Sequence, residues 1–282
     1  MKIASLPMYS FPETRAARDA LWTVLALNLR KSGIADVPDE LTHDLPVLEL
    51  WQDTNLLLSQ CCGYDVVKPY RNVLRPIATP IYNSPACIGE YYCSLVIVSE
   101  DSPFDDVCQM KGMIGVINGP ESHSGMSSLR QLISSTHSGG DFFSELKISG
   151  SHEASLDMIR TGQAHVAAID SVILSLVERY RPADMKGIRV LGTTYRAPAP
   201  PFVVHMETPE DDINKIRTAL LDTFNDPATE EYRQDMLLEG VIPATTEDYW
   251  FMSAFEDYAA KRGFEMVRQD RDQCSSNTLL SD

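Results

Sequence analysis

The stretch Gly115–Leu132 reads GVINGPESHSGMSSLRQL, and the rest of the chain is laid out around it. A short apolar run (Met113, Ile114, Val116, Ile117) ends at Asn118-Gly119-Pro120, a strong turn signal. Ser122-His123-Ser124-Gly125 follows, and then Met126, Leu129, Leu132 and Ile133 recur at helical spacing. The pattern predicts strand, tight loop, helix. At such a junction the first helical N–H groups have no intrahelical partner and carry the positive end of the dipole. With two serine hydroxyls beside them they suit an anion without any Lys or Arg. The same residues also make an ordinary N-cap, and spacing alone leaves Ser122 and Ser124 open to either role.

At 282 residues the chain has room for one large domain or two of ordinary size. Its apolar fraction of 44% and charged fraction of 23% are those of a globular protein in water. A net charge of −16, with no basic patch interleaved with aromatics, argues against nucleic acid as a partner. An anionic ligand must therefore be held by a local device against the overall field. No segment approaches the roughly 18 apolar residues of a membrane span, so no membrane insertion is expected. The N-terminus MKIASLPMYSF enters a strand-like run without the apolar core of a signal peptide, which reads as cytoplasmic unless a leader has been removed. Six cysteines show no CxxC pair and no metal-ligand spacing; the expectation is reduced thiols, no metal and no cofactor.

Working outward, Lys2–Met8 reads as a first strand ending near Tyr9, and Pro12 opens a helix with Ala17, Leu21, Leu25 and Leu29 on one face. Further strands are expected at Leu56–Leu58, ending at Ser59-Gln60, at Val73–Ala78 with Pro76 marking an edge or end, and at Tyr91–Val98. Beyond the central stretch come strands at 145–148, 165–169 and 188–191, with helices after Ser151-His152 and after Asp170. The last part reads as helical over 209–224, 227–238 and 246–262, with a polar, disordered tail from Asp270. Trp22, Trp51 and Trp250 read as packing residues. Alternating strands and helices predict an α/β protein with parallel sheets covered on both faces. Two lobes are expected: residues 1–97 and 194–282 form lobe one, 98–193 lobe two, with crossings near Val98 and Thr193. Tyr9, Gln60, the Ser122–Ser124 loop, Ser151-His152 and Asp170 all fall at strand ends, where open α/β sheets bind ligands.

Several of these stretches resemble one family. Asn118–Gly125 is similar to the NGPxSxSG loop of substrate-binding proteins from phosphate, phosphite and phosphonate ABC importers. Ser59–Tyr64 resembles that family's SQxCGY strand end, Gly150–Ser155 its GxHxxS, and Gly162–Asp170 its GxADxAAID, in the family's order. The departures are the missing leader and His165 where the family has an acidic residue. The resemblance implies a two-lobed, type II periplasmic-binding-protein fold with hinge strands and a ligand cleft between the lobes. It further implies a periplasmic location, an ABC permease as partner and no catalysis. Ser122 and Ser124, with His123 between them and nearby amides, would hold an oxyanion. His152 would add a donor, and Tyr9, Gln60 and Tyr92 would approach from lobe one. Asp170 would face a protonated oxygen or an amino group, which favours protonated phosphorus acids over sulfate.

Each residue also has a plainer reading. His152 suits a surface position or a cap, Asp170 an N-cap, and Gln60 and Tyr92 the polar edge of a core. Tyr91 replaces Tyr92 if the strand pairs one residue off, and Glu121 beside the loop disfavours an anion. The function expected is non-catalytic binding of a small phosphorus oxyanion: phosphate, phosphite or an organophosphonate. The alternative is a cytosolic enzyme or ligand sensor on the same scaffold, with Cys61 or Cys62 near His152 as nucleophile.

Overall fold

The computed structural model describes residues 2–137, 140–262 and 264–266. The chain opens with β1 (Ile3–Ala4) and a 3-10 turn at Pro12–Thr14, then α1 (Arg15–Lys31), α2 (Val47–Gln52) and β2 (Leu56–Gln60). Next come β3 (Leu74–Tyr82), β4 (Tyr91–Tyr92), β5 (Ser94–Ser99) and β6 (Ile114–Ile117). A π turn at His123–Ser127 runs into α3 (Ser128–Thr136), followed by β7 (Gly140–Asp141), β8 (Glu145–Ile148) and α4 (His152–Arg160). After them lie β9 (Val166–Asp170), α5 (Ser171–Tyr180), β10 (Ile188–Thr193), β11 (Ala197–Pro198) and β12 (Phe202–His205). The last elements are α6 (Glu210–Asn225), α7 (Glu230–Asp235), β13 (Leu238–Pro243), α8 (Phe251–Lys261) and β14 (Phe264–Glu265).

Two five-stranded sheets form two lobes, with strand orders β1-β2-β12-β3-β13 and β10-β5-β9-β6-β8. Neither is the all-parallel sheet expected. The pairs β1–β2, β6–β8 and β6–β9 are parallel, whereas β12 and β13 run antiparallel to their neighbours, as do β5–β9 and β10–β5. Strands that re-enter a sheet from the other lobe need no βαβ crossover, so nothing forces them parallel. Pro76 lies inside β3 opposite Val203 of β12, but beyond the reach of β13, whose register on β3 ends at Ala78. The strand is paired on one side only there, as an edge position requires. The β12–β3 register also slips between Phe202 and Val203, opposite Pro76.

The expected helix over 227–238 is a short 3-10 turn and α7, and 238–243 is β13, a strand absent from the sequence reading. Its Leu238 and Val241 are buried against β3. Tyr91–Val98 is likewise two strands. Tyr91–Tyr92 pairs with Ala197–Pro198, and the chain passes between the sheets at Cys93 and Thr194–Arg196, earlier than Val98. Thr194 and Ser94 lock these passages together: each backbone N–H bonds the other residue, to Ser94 O and Thr194 Oγ1, both at 2.9 Å.

On α1, Ala17, Leu21, Leu25 and Leu29 are buried as the helical spacing requires, with Trp22 beside them. Trp51 is also buried, but Trp250 is exposed and packs no core. The C-terminal part does not stay with lobe one as expected for 194–282. α8 lies against α3, and Ala259 and Met266 join Val96, Val98, Leu129 and Ile133 in the core of the second lobe. The polar tail expected from Asp270 lies outside the described residues. Among those residues no helix is long and apolar enough to cross a membrane, no disulfide forms and no metal-binding cluster occurs.

The lobes meet directly. Arg181, past the end of α5, grips both carboxylate oxygens of Glu13 at 2.7 and 2.8 Å. Within the first lobe, Gly63, just past β2, permits a close approach of the 246–252 segment. A Cβ there would sit 2.6 Å from Tyr249 Cδ1 and 2.8 Å from Met252 Sδ. The Tyr249 ring cannot yield, since its hydroxyl contacts Thr79 Oγ1 at 2.6 Å and donates to Ala199 O at 2.9 Å. Gly63→Ala should therefore lower unfolding free energy by about 1–3 kcal/mol in denaturant titration; an unchanged midpoint would show that the 246–252 segment shifts freely.

Candidate functional site

The loop after β6 is narrower than a plain strand–helix junction. Gly125 folds back against Asn118 so closely that a Cβ would lie 1.8 Å from Asn118 Oδ1. Any side chain at 125 would have to displace the Asn118 amide, which couples the two ends of the 118–125 motif. The helix then starts one residue wide: Ser127 N–H reaches Ser122 O at 3.0 Å, five residues back. Such π turns splay side chains that an α-helix would stack.

Ser122 takes the plainer of its two roles, its Oγ accepting from Gly125 N–H at 3.0 Å. The Met126 and Ser127 N–H groups both bond Ser122 O, and the His123 N–H is turned to the Cys62 thiol. The expected cradle of free amides is thus largely used within the loop. Ser124 does something else. Its Oγ lies 2.7 Å from His152 Nε2 and 3.4 Å from Ser122 Oγ. His152 is free for this because Ser151, not His152, caps α4 by accepting from Ala154 N–H at 3.0 Å. Glu121 is exposed, turned away from the pair.

Asp170 caps α5 and also reaches across the lobes. Its Oδ1 accepts from Val172 N–H at 2.8 Å, and its Oδ2 from the Tyr9 hydroxyl at 3.0 Å. Tyr9 has φ 55°, a left-handed conformation uncommon for a side chain of its size; its ring meets Tyr82 edge-on at 5.0 Å. Tyr82 in turn is hydrogen-bonded by Gln60. The choice between neighbouring tyrosines is decided by burial, with Tyr92 2% exposed and Tyr91 41%. Tyr92 lies 6.3 Å from the His123 ring, centroid to centroid, and His123 stacks on Phe255 at 5.5 Å.

Ser94, which sequence reasoning missed, ties these parts together. It faces Asp170 in the β5–β9 register, and its hydroxyl donates to Ser124 O at 2.8 Å. A serine at the start of an apolar run gives no sign of this in the sequence. All eight residues singled out from the sequence (Tyr9, Gln60, Tyr92, Ser122, His123, Ser124, His152 and Asp170) thus lie around one seam between the lobes, and all but Ser122 are buried.

The electrostatics of the seam are set by dehydration. Burial pushes His152 down to about 4 and His123 to about 3, so both are neutral imidazoles at neutral pH. The Nδ1 atoms of both, and Asn118 Oδ1, have no hydrogen-bond partner among the described residues. Ser124 and neutral His152 own two polar protons and share one in their mutual bond. Whichever tautomer holds, one donor is left over from that bond, either the Ser124 O–H, which has Ser122 Oγ within reach, or the His152 Nδ1–H. Burial raises Asp170 to about 7, opposed by the N–H groups of Val172 and Ile173 and by the Tyr9 hydroxyl. Asp65 reaches about 7 by burial, against a bond from Cys62 N–H and with Glu121 adding to the rise. Burial also holds the Cys62 thiol up at about 12 and raises Cys61, so neither is a thiolate nucleophile at neutral pH.

Comparison with known proteins gives the family and the fold. The profile of a family described as "ABC transporter, phosphonate, periplasmic substrate-binding protein" matches residues 49–249. No curated protein sequence matches the chain. Among solved structures, the binding-protein component of an ABC phosphonate transporter from Pseudomonas aeruginosa superposes with a TM-score of 0.73 at 13% identity. The superposition covers 93% of this chain and 87% of that one. PhnD1 from Prochlorococcus marinus, solved in complex with methylphosphonate, gives 0.70 at 13% identity, covering 93% and 98%. At such identities these likenesses establish the two-lobed fold.

Because the Asp170 carboxyl is raised in the folded chain, it binds a proton there that the unfolded chain has released. Its contribution to stability is full below its unfolded value near 3.8 and is lost as pH rises through about 7. Against wild type, Asp170→Asn should gain stability by at most about 1.4 kcal/mol per pH unit between pH 4 and 7, levelling off above. Parallel denaturant-derived stability curves for the two proteins would contradict a buried, protonatable Asp170.

Proposed function

Since the chain belongs to the family of periplasmic substrate-binding proteins of phosphonate ABC transporters, we propose that it binds a phosphonate or a related phosphorus oxyanion at the Ser124–His152–Asp170 seam. The observation that carries this reading is the buried Ser124–His152 pair at 2.7 Å, joined through Ser94 to the Asp170 carboxyl, which burial raises to about 7. A phosphonate oxygen accepts from Ser124 or His152 in place of part of their mutual bond. A second oxygen meets Asp170 through one proton, carried by either partner. Above about pH 7, where Asp170 loses its own proton, sulfate has none to bring and is repelled, whereas a monoprotonated phosphonate still supplies one. The preference for phosphorus acids therefore grows as pH rises through that value.

Tyr9, Gln60 and Tyr92 close the seam from the first lobe, and the two lobes turn about the paired strands β4 and β11. The protonated Cys61 and Cys62 thiols favour binding over thiolate chemistry. The family's permease is the partner this role requires, and the periplasm is the compartment that goes with it.

Calorimetric titration with methylphosphonate tests the site. A hydrogen bond to a charged group contributes about 1.5–3 kcal/mol, so Ser124→Ala should weaken binding roughly ten- to hundredfold. Asp170→Asn should weaken it as well and narrow the preference over sulfate. Wild-type affinity in both variants would remove the seam from the binding function.

A further inference from the structure

Arg18 sits on the inner face of α1, between Ala17 and Leu21, and is only 4% exposed. Its Nε and Nη1 have no hydrogen-bond partner among the described residues. The neighbouring Asp19 is half-exposed and engaged elsewhere, with His43 at 2.8 Å and Arg15 at 3.9 Å. An unpaired buried charge costs several kcal/mol, and arginine does not escape that cost by losing its proton. A guanidinium kept in such a place suits an anionic partner.

The surroundings narrow what that partner is. Arg18 lines a cavity of about 20 Å³ together with Tyr9, Gln60 and Tyr82, closed by apolar side chains such as Leu6 and Phe202. Room for little more than one water limits the partner to a small group. A planar carboxylate also matches the guanidinium fork. The cavity borders the seam at Tyr9, which lines it and whose hydroxyl bonds Asp170, so a ligand reaching both must displace Tyr9.

We infer that Arg18, with Gln60 and Tyr82, forms a second subsite for the carboxylate of a ligand whose phosphonate lies at Ser124 and His152, so that the substrate class is a carboxylated alkylphosphonate. This rests on the phosphonate reading of the seam. It also gives a chain of net charge −16 a buried cation for a ligand of more than one negative charge.

Calorimetry on the full chain at pH 7 decides it, comparing phosphonoacetate with ethylphosphonate and 3-phosphonopropionate with propylphosphonate. At least one carboxylated member should bind tenfold or more tighter than its alkyl counterpart. Arg18→Met should abolish that ratio and Arg18→Lys keep part of it; should the first variant fail to fold, the wild-type ratio and the second variant still decide. If the alkylphosphonates bind and the carboxylated ones are no tighter, the Arg18 subsite is overturned while the phosphonate reading stands. If none of the four binds, both fall. A rise in melting temperature with chloride that needs Arg18, without any carboxylate preference, would make the cavity a halide site and equally overturn the inference.

Discussion

The antiparallel pairing of Ser94 with Asp170 between β5 and β9 is the contact on which the seam depends. It sets the carboxylate opposite the serine whose hydroxyl holds the Ser124 carbonyl, and so fixes the distance between the two halves of the site. A slip of one residue would turn Asp170 to the other face of the sheet and leave the Tyr9 hydroxyl without its acceptor. The same strand begins immediately after the passage between lobes, where Ser94 and Thr194 hold each other. Lobe connection and site geometry are thereby one feature.

Dehydration then determines what chemistry the seam supports. A basic site would draw any anion, including the commoner sulfate. Here the histidines are neutral and the aspartate keeps its proton near neutrality because burial disfavours every charged form. In the proposed site, selectivity would rest on matching donors to acceptors, and the proton would tell phosphonate from sulfate only where Asp170 has given up its own. The tight loop that makes this possible is paid for in sequence freedom: a side chain at Gly125 would have to displace the Asn118 amide.

Much of this could be read from the residues, for reasons that are specific. The 115–132 stretch combined an apolar run, a turn signal and helical spacing, and each survives as β6, the tight loop and α3. The π turn was not legible, because Ser122 and Ser124 both suit an N-cap and only the backbone path separates a capping hydroxyl from one aimed at His152. β13 was missed since Leu237 to Gly240 continues a helical pattern, and only its partner β3 makes it a strand. Parallel sheets were expected from alternation along the chain, but alternation says nothing of strands that return from the other lobe. Ser94 and Arg18 carried no signal at all. A serine in an apolar strand and an arginine in a helix become informative only once their neighbours are known.

The central claim is that a phosphonate is held by Ser124 and His152 with a proton shared to Asp170. A crystal structure of the chain with methylphosphonate tests it most directly. The account predicts one ligand oxygen within hydrogen-bond reach of Ser124 Oγ or His152, and a second within reach of an Asp170 carboxylate oxygen. Methylphosphonate bound away from the seam, with Ser124 and His152 bonded only to each other, would contradict it.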